Sequence, residues 1–171
     1  MAAARYFYTK TCRESNFYPH AFAYRGVTLP TSEHHLMREK ARLMGDHLVV
    51  TLIDVAPSAL AAKRLGRKVK PWDQGRWDDH CDQIMEDILV AKFKSTPAMR
   101  DYILGIEGRF YEASPKDKVW GIGIGVKQAQ AGAPHNGQNK LGLALDRARA
   151  RIEGRFYEAS PKEREVQRPK S

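Results

Sequence analysis

Residues 77–93 read WDDHCDQIMEDILVAKF, with Trp77, Ile84, Ile88, Leu89 and Phe93 recurring at helical spacing. A helix of that length with one apolar face must be covered by other elements, and this requirement sets the class of the fold. Most of the remaining chain supplies helices to do it. Thr31 and Ser32 are good caps, and SEHHLMREKARLMG then runs helically to Gly45. PSALAAKRLGRK starts another helix with Pro57 near its first turn, and Pro97 opens a shorter one reaching Leu104. LGLALDRARARI closes the domain as a last helix. Residues 5–30, broken by Asn16, Pro19, Gly26 and Pro30, read instead as short strands and turns. LVVTLIDVA stays ambiguous between buried strand and buried helix, because β-branched residues dominate and no period shows. The expectation is a mainly α fold with a few short β-strands, in a single compact domain over residues 1–150.

The chain has 171 residues, enough for one core without staples. Its net charge of +9 attracts polyanions, so phosphate-bearing small molecules or nucleic acid are favoured over basic partners. Two cysteines, Cys12 and Cys81, make no disulfide framework, and the start MAAARYFYTK carries no apolar leader. No apolar run approaches a membrane span. An intracellular protein, cytoplasmic or nuclear and in a reducing compartment, is expected, with no membrane partner. One feature is unusual: IEGRFYEASPK stands at 106–116 and again, identically, at 152–162. The second copy runs into KEREVQRPKS, which is charged and apolar-poor, so residues 151–171 read as a mobile tail.

Several residues carry possible chemistry. Glu33 and Lys40 lie seven residues apart, on nearly one face of a helix, and long helical side chains lean toward the N-terminus. They form either an acid and amine beside a ligand or a solvated face with an acid complementing the helix dipole; spacing alone favours the second. His34, His35, His80 and Cys81 lack metal-ligand spacing, so no metal is expected, and no cofactor. WGIGIG at 120–125 lacks the ending of a phosphate loop, but Glu112, Ser114, Asp117 and Trp120 crowd acid, hydroxyl and aromatic groups beside it. Gly121 would let the backbone approach a ligand closely. Such a mixture suits a sugar or base, and a hairpin with a core tryptophan fits the pattern equally well. Trp77 on its amphipathic helix reads as core, and Asn16 as a turn residue. Arg64 and Arg67, around Gly66, either bind phosphate or are solvated.

Taken in order, ESNFYPHAF (14–22), PTSEHHLMREKA (30–41), AAKRLGRKVK (61–70), GRWDDHCDQIM (75–85), AKF (91–93), YEASPKDKVWGIG (111–123) and GQNKLGLALDRAR (137–149) resemble the NADAR family. The resemblance covers roughly residues 5–150, and seven ordered blocks are far more specific than any one of them. It implies a mostly α fold and cleavage of an N-glycosidic bond between ribose and a nitrogen base or amine. It also assigns Glu33 to the family's acid in the TSEH block, Lys40 to its helix lysine, and Trp77 and Trp120 to its tryptophans. Asn16, Ser114, Asp117 and Asn139 fall on family-like positions. Some bacterial members place an acid after the WG dipeptide, where this chain has Ile122.

The resemblance implies two groups of substrate: ADP-ribose on the guanine amino group of nucleic acid, and the phosphoribosylamino pyrimidines of early riboflavin synthesis. The basic charge favours the first, with ADP-ribosylated DNA or RNA as partner and ADP-ribose as product. A non-catalytic ADP-ribose reader would use the same site. In the catalytic reading Glu33 stabilises charge at the anomeric carbon and positions water. Lys40 protonates a leaving oxygen, holds phosphate, or attacks the anomeric carbon of a ring-opened substrate. Trp77 and Trp120 border base and ribose, while Asn16, Glu112, Ser114 and Asp117 bind hydroxyls.

Overall fold

A computed structural model describes residues 3–155. Among them are seven helices and four short strands, in the order β1 (Ala4–Phe7), β2 (Phe22–Tyr24), β3 (Val27–Leu29), α1 (Ser32–Met44), α2 (His47–Asp54), α3 (Ala59–Gly66), α4 (Gln74–Lys94), α5 (Pro97–Leu104), β4 (Arg109–Glu112), α6 (Val126–Gln130) and α7 (Lys140–Glu153). The expected mainly helical fold is what the chain forms. No helix among the described residues is long and apolar enough to cross a membrane.

Local signals set most boundaries. The Thr31 hydroxyl accepts the His34 amide at the start of α1, and Gly45 at φ 77° ends it by donating to the Ala41 and Arg42 carbonyls. Thr96 caps α5, with Pro97 in the first turn. Arg25 and Gly26, at φ 50° and 79°, make the two-residue turn that joins β2 to β3 antiparallel, with Tyr24 opposite Val27. β1 and β4 pair in parallel, Phe7 opposite Glu112, although about a hundred residues separate them.

The long helix α4 is the centre. Its Trp77, Cys81, Met85, Ile88, Leu89 and Phe93 are buried, and it packs against α1, α5, α7 and β2. Ile84, on the same sequence stripe, is only partly buried. The β4 strand lies between β1 and α7, with Phe110 fully buried in the common core.

LVVTLIDVA resolves as the helix α2, and it is not buried on both sides. Asp46 caps it by accepting from the Val49 amide at 3.1 Å, and only Val49 and Ile53 turn inward. Leu48 and Leu52 stay 71% and 42% exposed, so the apolar run carries one buried face rather than a core segment. Pro57 precedes the true cap of α3, Ser58, whose side chain accepts from the Ala61 amide. The second copy of the repeat enters the described residues only at 152–155, where it ends α7; the tail expected to be mobile otherwise lies outside them.

Helix α7 reaches β4 because Gly142 has no side chain. A Cβ there would stand 2.1 Å from the Phe110 carbonyl oxygen and 2.4 Å from Asn139 Nδ2. Gly142→Ala is therefore expected to destabilise the protein by about 1–3 kcal/mol, from overpacking against backbone. Gly125→Ala is the control, since a Cβ there meets nothing within 4 Å. Urea unfolding of the two variants measures the difference, and equal midpoints would contradict it.

Candidate active site

Four segments converge on one cleft of about 190 Å³. The turn Ser15, Asn16, Phe17 forms one wall, and α1 contributes Glu33, Leu36, Met37 and Lys40. Helix α3 adds Lys63 and Arg67, while Glu112 at the end of β4 and Asp117 and Trp120 beyond it complete the lining. The helix period explains the first pairings. Glu33 and Lys40 share a face of α1, and Lys63 and Arg67, four residues apart, share one of α3. The two helices come close because Gly66 faces Met37: a Cβ would lie 2.0 Å from the Met37 sulfur. The turn is tied to α1 by the Glu33 amide, which donates to the Asn16 carbonyl at 3.0 Å.

Burial dominates the electrostatics. The Glu33 carboxyl is pushed up to about 7 by loss of water, with Asp117 adding to the rise and Lys63, Lys40 and Arg67 opposing it. Glu112 also rises to about 7, first from burial and then from the negative charge of Asp117 and Glu33. Its Oε2 is buried without a hydrogen-bond partner, an acceptor or acid left for whatever enters the cleft. Burial lowers the Lys40 amine, and Arg67 lowers it further, against the pull of Glu33. Three acids and three cations thus face one small volume, with two of the acids poised near neutrality.

Of the residues singled out in the sequence, Glu33, Lys40, Asn16, Glu112, Asp117, Trp120 and Arg67 line this cleft. The others do not. Trp77 is buried in the main core, as its helical spacing alone suggested, and reaches the site only through Lys40, whose Nζ stands 5.8 Å from its ring centre. Ser114 and Gly121 are parts of a loop folded on itself: a Cβ at Gly121 would be 2.9 Å from Ser114 Cβ and 2.9 Å from the Asp117 carbonyl. The missing side chain of Gly121 thus serves the loop's own packing rather than an approach to ligand. Asn139, at φ 54°, stands behind Glu112 and joins three elements. Its Nδ2 donates to the Phe110 carbonyl at 2.9 Å, its Oδ1 accepts from the Glu112 amide at 3.1 Å, and its own amide donates to the Gly121 carbonyl at 3.0 Å. Arg64 is exposed on another face of α3, away from the cleft. Ile122 is fully buried against Ala113 and Ala129 in a second small core, so the side chain at this position points away from the cleft chemistry.

Sequence reading missed Lys63 and Trp72. The helical period that pairs Lys63 with Arg67 is the signal in the sequence that marks Lys63. Trp72 lies outside any periodic segment. Its ring sits 4.6 Å from Lys40 Nζ and 6.3 Å from the Trp77 ring, so the amine of Lys40 is flanked by two indoles. Asp117 does its work twice: it faces the cleft, and its Oδ1 accepts the amides of Val119 and Trp120 at 2.9 and 2.8 Å, fixing where the Trp120 ring stands. The histidines of α1 are engaged in structure: His34 donates to the Ala56 carbonyl and His35 to the Phe22 carbonyl, each at 3.0 Å. Among the described residues no three His, Cys, Asp or Glu side chains gather into a group able to hold a metal ion.

Comparison with known proteins gives one consistent answer. The NADAR domain model matches residues 6–153. A protein of Acanthamoeba polyphaga mimivirus named as an N-glycosidase is 33% identical over 123 residues, covering 70% of this chain and 72% of its own. Protein irg-1 of Caenorhabditis elegans is 29% identical over 165 residues, covering 85% and 78%. The solution structure of Escherichia coli YbiA superposes with a TM-score of 0.73 at 24% identity, over 99% of this chain and 90% of that one.

The raised carboxyls have a consequence for stability. Each of Glu33 and Glu112 binds its proton more tightly in the folded chain than near the ordinary value of 4.5. Their contribution favours the folded state below that value and is lost as pH rises through about 7. Glu33→Gln keeps the shape and removes the charge, so it is expected to melt above wild type at about pH 8 and close to it at about pH 5. Thermal melts at the two pH values test this; a Glu33→Gln protein that melts below wild type at the higher pH would refute it.

Proposed function

Since the chain belongs to the NADAR domain family, we propose that it is an N-glycosidase that hydrolyses the ribose–nitrogen bond of ADP-ribosylated guanine in nucleic acid, releasing ADP-ribose. The observation that carries the reading is the Glu33 carboxyl, buried at the floor of the cleft and faced by Lys40, Lys63 and Arg67. Breaking a bond at the anomeric carbon builds positive charge on that carbon and the ring oxygen. A fixed carboxylate beside it in a water-poor site stabilises the transition state more than the ground state. Water adds to the anomeric carbon, the carbon–nitrogen bond breaks, and the nitrogen leaves with a proton as the free amino group. Glu33 in its carboxylate form accepts the proton of that water and passes it to the departing nitrogen. Glu112, whose carboxyl burial also raises, donates to a ribose oxygen in its protonated form, while Lys63 and Arg67 suit the diphosphate.

The preference for a nucleic acid substrate rests on charge. A net +9 on the whole chain and cations on α3 beside the cleft favour a polyanion. The cleft volume is the observation that favours the alternative, a phosphoribosylamino pyrimidine. At about 190 Å³ it is smaller than the roughly 300–1,000 Å³ of sites that engulf a drug-sized ligand. On the favoured reading the reacting ribose occupies the cleft and the rest of the substrate lies across its rim.

The decisive assay follows ADP-ribose released from an oligonucleotide carrying ADP-ribose on guanine. Wild type is expected to release it and Glu33→Gln to be slower by roughly 10²–10⁴-fold, with activity on the long oligonucleotide, but not on a mononucleotide, falling steeply with salt. Release only from a phosphoribosylamino pyrimidine would move the substrate, and ADP-ribose binding with no turnover at all would make the protein a reader.

Lys40 has a covalent route open to it. Its amine, lowered by burial, can attack the anomeric carbon of a ring-opened substrate, expel the base amine and leave a Schiff base that water then hydrolyses. Borohydride added during turnover is expected to give a substrate adduct on Lys40 that Lys40→Arg lacks. Turnover without any adduct would leave Lys40 a non-covalent role.

A further inference from the structure

We propose that Lys92, which lies behind the cleft and never touches it, is the positioning residue that sets the orientation of the Asn16 carboxamide and the seat of Glu33. Lys92 is on α4, in the AKF block, and is fully buried. Burying an ammonium carries a large desolvation cost, and an apolar side chain of similar volume would fill the same space without it. The group therefore has to be explained by what it holds. Its Nζ donates to the Ser15 carbonyl at 2.9 Å and to Ser32 Oγ at 3.3 Å. One acceptor belongs to the turn that lines the cleft; the other belongs to the first turn of α1, next to Glu33.

The directions of these bonds transmit a choice. In its charged form the Lys92 ammonium has three donors and no acceptor, so Ser32 Oγ accepts from it. The single hydroxyl proton of Ser32 is then committed to Asn16 Oδ1, at 2.9 Å. With its oxygen held toward the interior, the Asn16 carboxamide turns its NH₂ the other way. Among the described residues that group donates to Met85 Sδ, a fully buried and weak acceptor at 3.5 Å. Asn16 lines the cleft, so the N–H of this group that Met85 does not take is the one able to donate to an oxygen acceptor such as a ribose hydroxyl or phosphate oxygen. The Asn16 carbonyl meanwhile accepts the Glu33 amide at 3.0 Å, so a turn displaced at Ser15 would carry the start of α1 with it.

Two aromatic rings and one buried acid lie around the Lys92 amine. The Tyr18 and Phe93 rings lie 5.9 and 5.4 Å from Nζ. Burial pulls the amine down to about 7, and the fully buried Glu14 opposes that fall by favouring the charged form. Glu14 is anchored in turn by Arg5 Nε at 2.7 Å, while its Oε2 is buried without a hydrogen-bond partner. The device thus runs from Arg5 on β1 through Glu14 and Lys92 to Ser32 and Asn16, and it ends at the cleft.

The proposal rests on the cleft's being the reaction site, and its test separates the two. The side-chain NH₂ resonances of Asn16, identified by their loss in Asn16→Ala, report the carboxamide without any ligand. In folded Lys92→Met they are expected to move and broaden. Turnover should fall by ~10–10²-fold, the scale of a displaced positioning group, with KM within about twofold. In the Asn16→Ala background Lys92→Met should add little, because both changes break one device. A merely structural lysine would cost the same in both backgrounds. Ser32→Ala cuts the link while leaving the bond to the Ser15 carbonyl, and it carries the same test if Lys92→Met does not fold. Unchanged Asn16 resonances, or penalties that add, would overturn the proposal. If wild type hydrolyses no glycosyl substrate, the functional reading fails and the Asn16 resonances still decide the role of Lys92.

Discussion

Taking a carboxylate out of water costs several kcal/mol unless charges and hydrogen bonds compensate, and the arrangement of this domain follows from doing so at Glu33. The side chain sits in the first turn of α1, where the helix N-terminus favours negative charge, and three cations from two helices face it. Full compensation would hold it ionised at all ordinary pH. Here compensation is partial, so the carboxyl is pushed up to about 7, where both its acid and its carboxylate forms are accessible. Closeness of α1 and α3 keeps the balance, and that closeness depends on Gly66 lying against Met37.

The opposite wall is held by a different device. Glu112 leaves the sheet at the last residue of β4, and its backbone is caught from behind by Asn139 at the start of α7. The WGIG segment folds back on Glu112, since the Ile122 amide donates to the Glu112 carbonyl at 2.9 Å. Residues read from the sequence as ligand contacts, Ser114, Gly121 and Asn139, are the framework that aims Glu112 and Trp120. Residue types suited to a sugar site and residue types suited to a tight loop are the same small polar set, so composition could not separate them.

Two exposed features bear on the rim of the cleft. Lys40 connects the acids inside to the exposed Trp72 and to Trp77 at the edge of the core, and its amine is both lowered by burial and flanked by π faces. Arg67, the residue that caps the end of α3, reaches the lining, while Arg64 one turn earlier does not. The positive charge of α3 therefore divides into a part that can meet a bound anion and a part that faces solvent.

The sequence by itself determined the helices with strong local signals. Thr31 and Gly45 bound α1, Thr96 and Pro97 start α5, and the apolar stripe of α4 gives that helix its buried face. It also determined the family, and the face shared by Glu33 and Lys40. Tertiary structure decided what lies between segments distant in sequence: the parallel pairing of β1 with β4, the buried Lys92 beneath Ser15 and Ser32, and the split of Trp77 into core and Trp72 into rim. The repeated peptide shows why. IEGR at 106–109 leads into β4, and IEGR at 152–155 ends α7, with the glycine at positive φ in both. Glycine's freedom to turn is written in the residue itself. Whether the following arginine enters a strand depends on the Ala3 carbonyl that receives the Arg109 amide, a partner supplied by the far end of the chain.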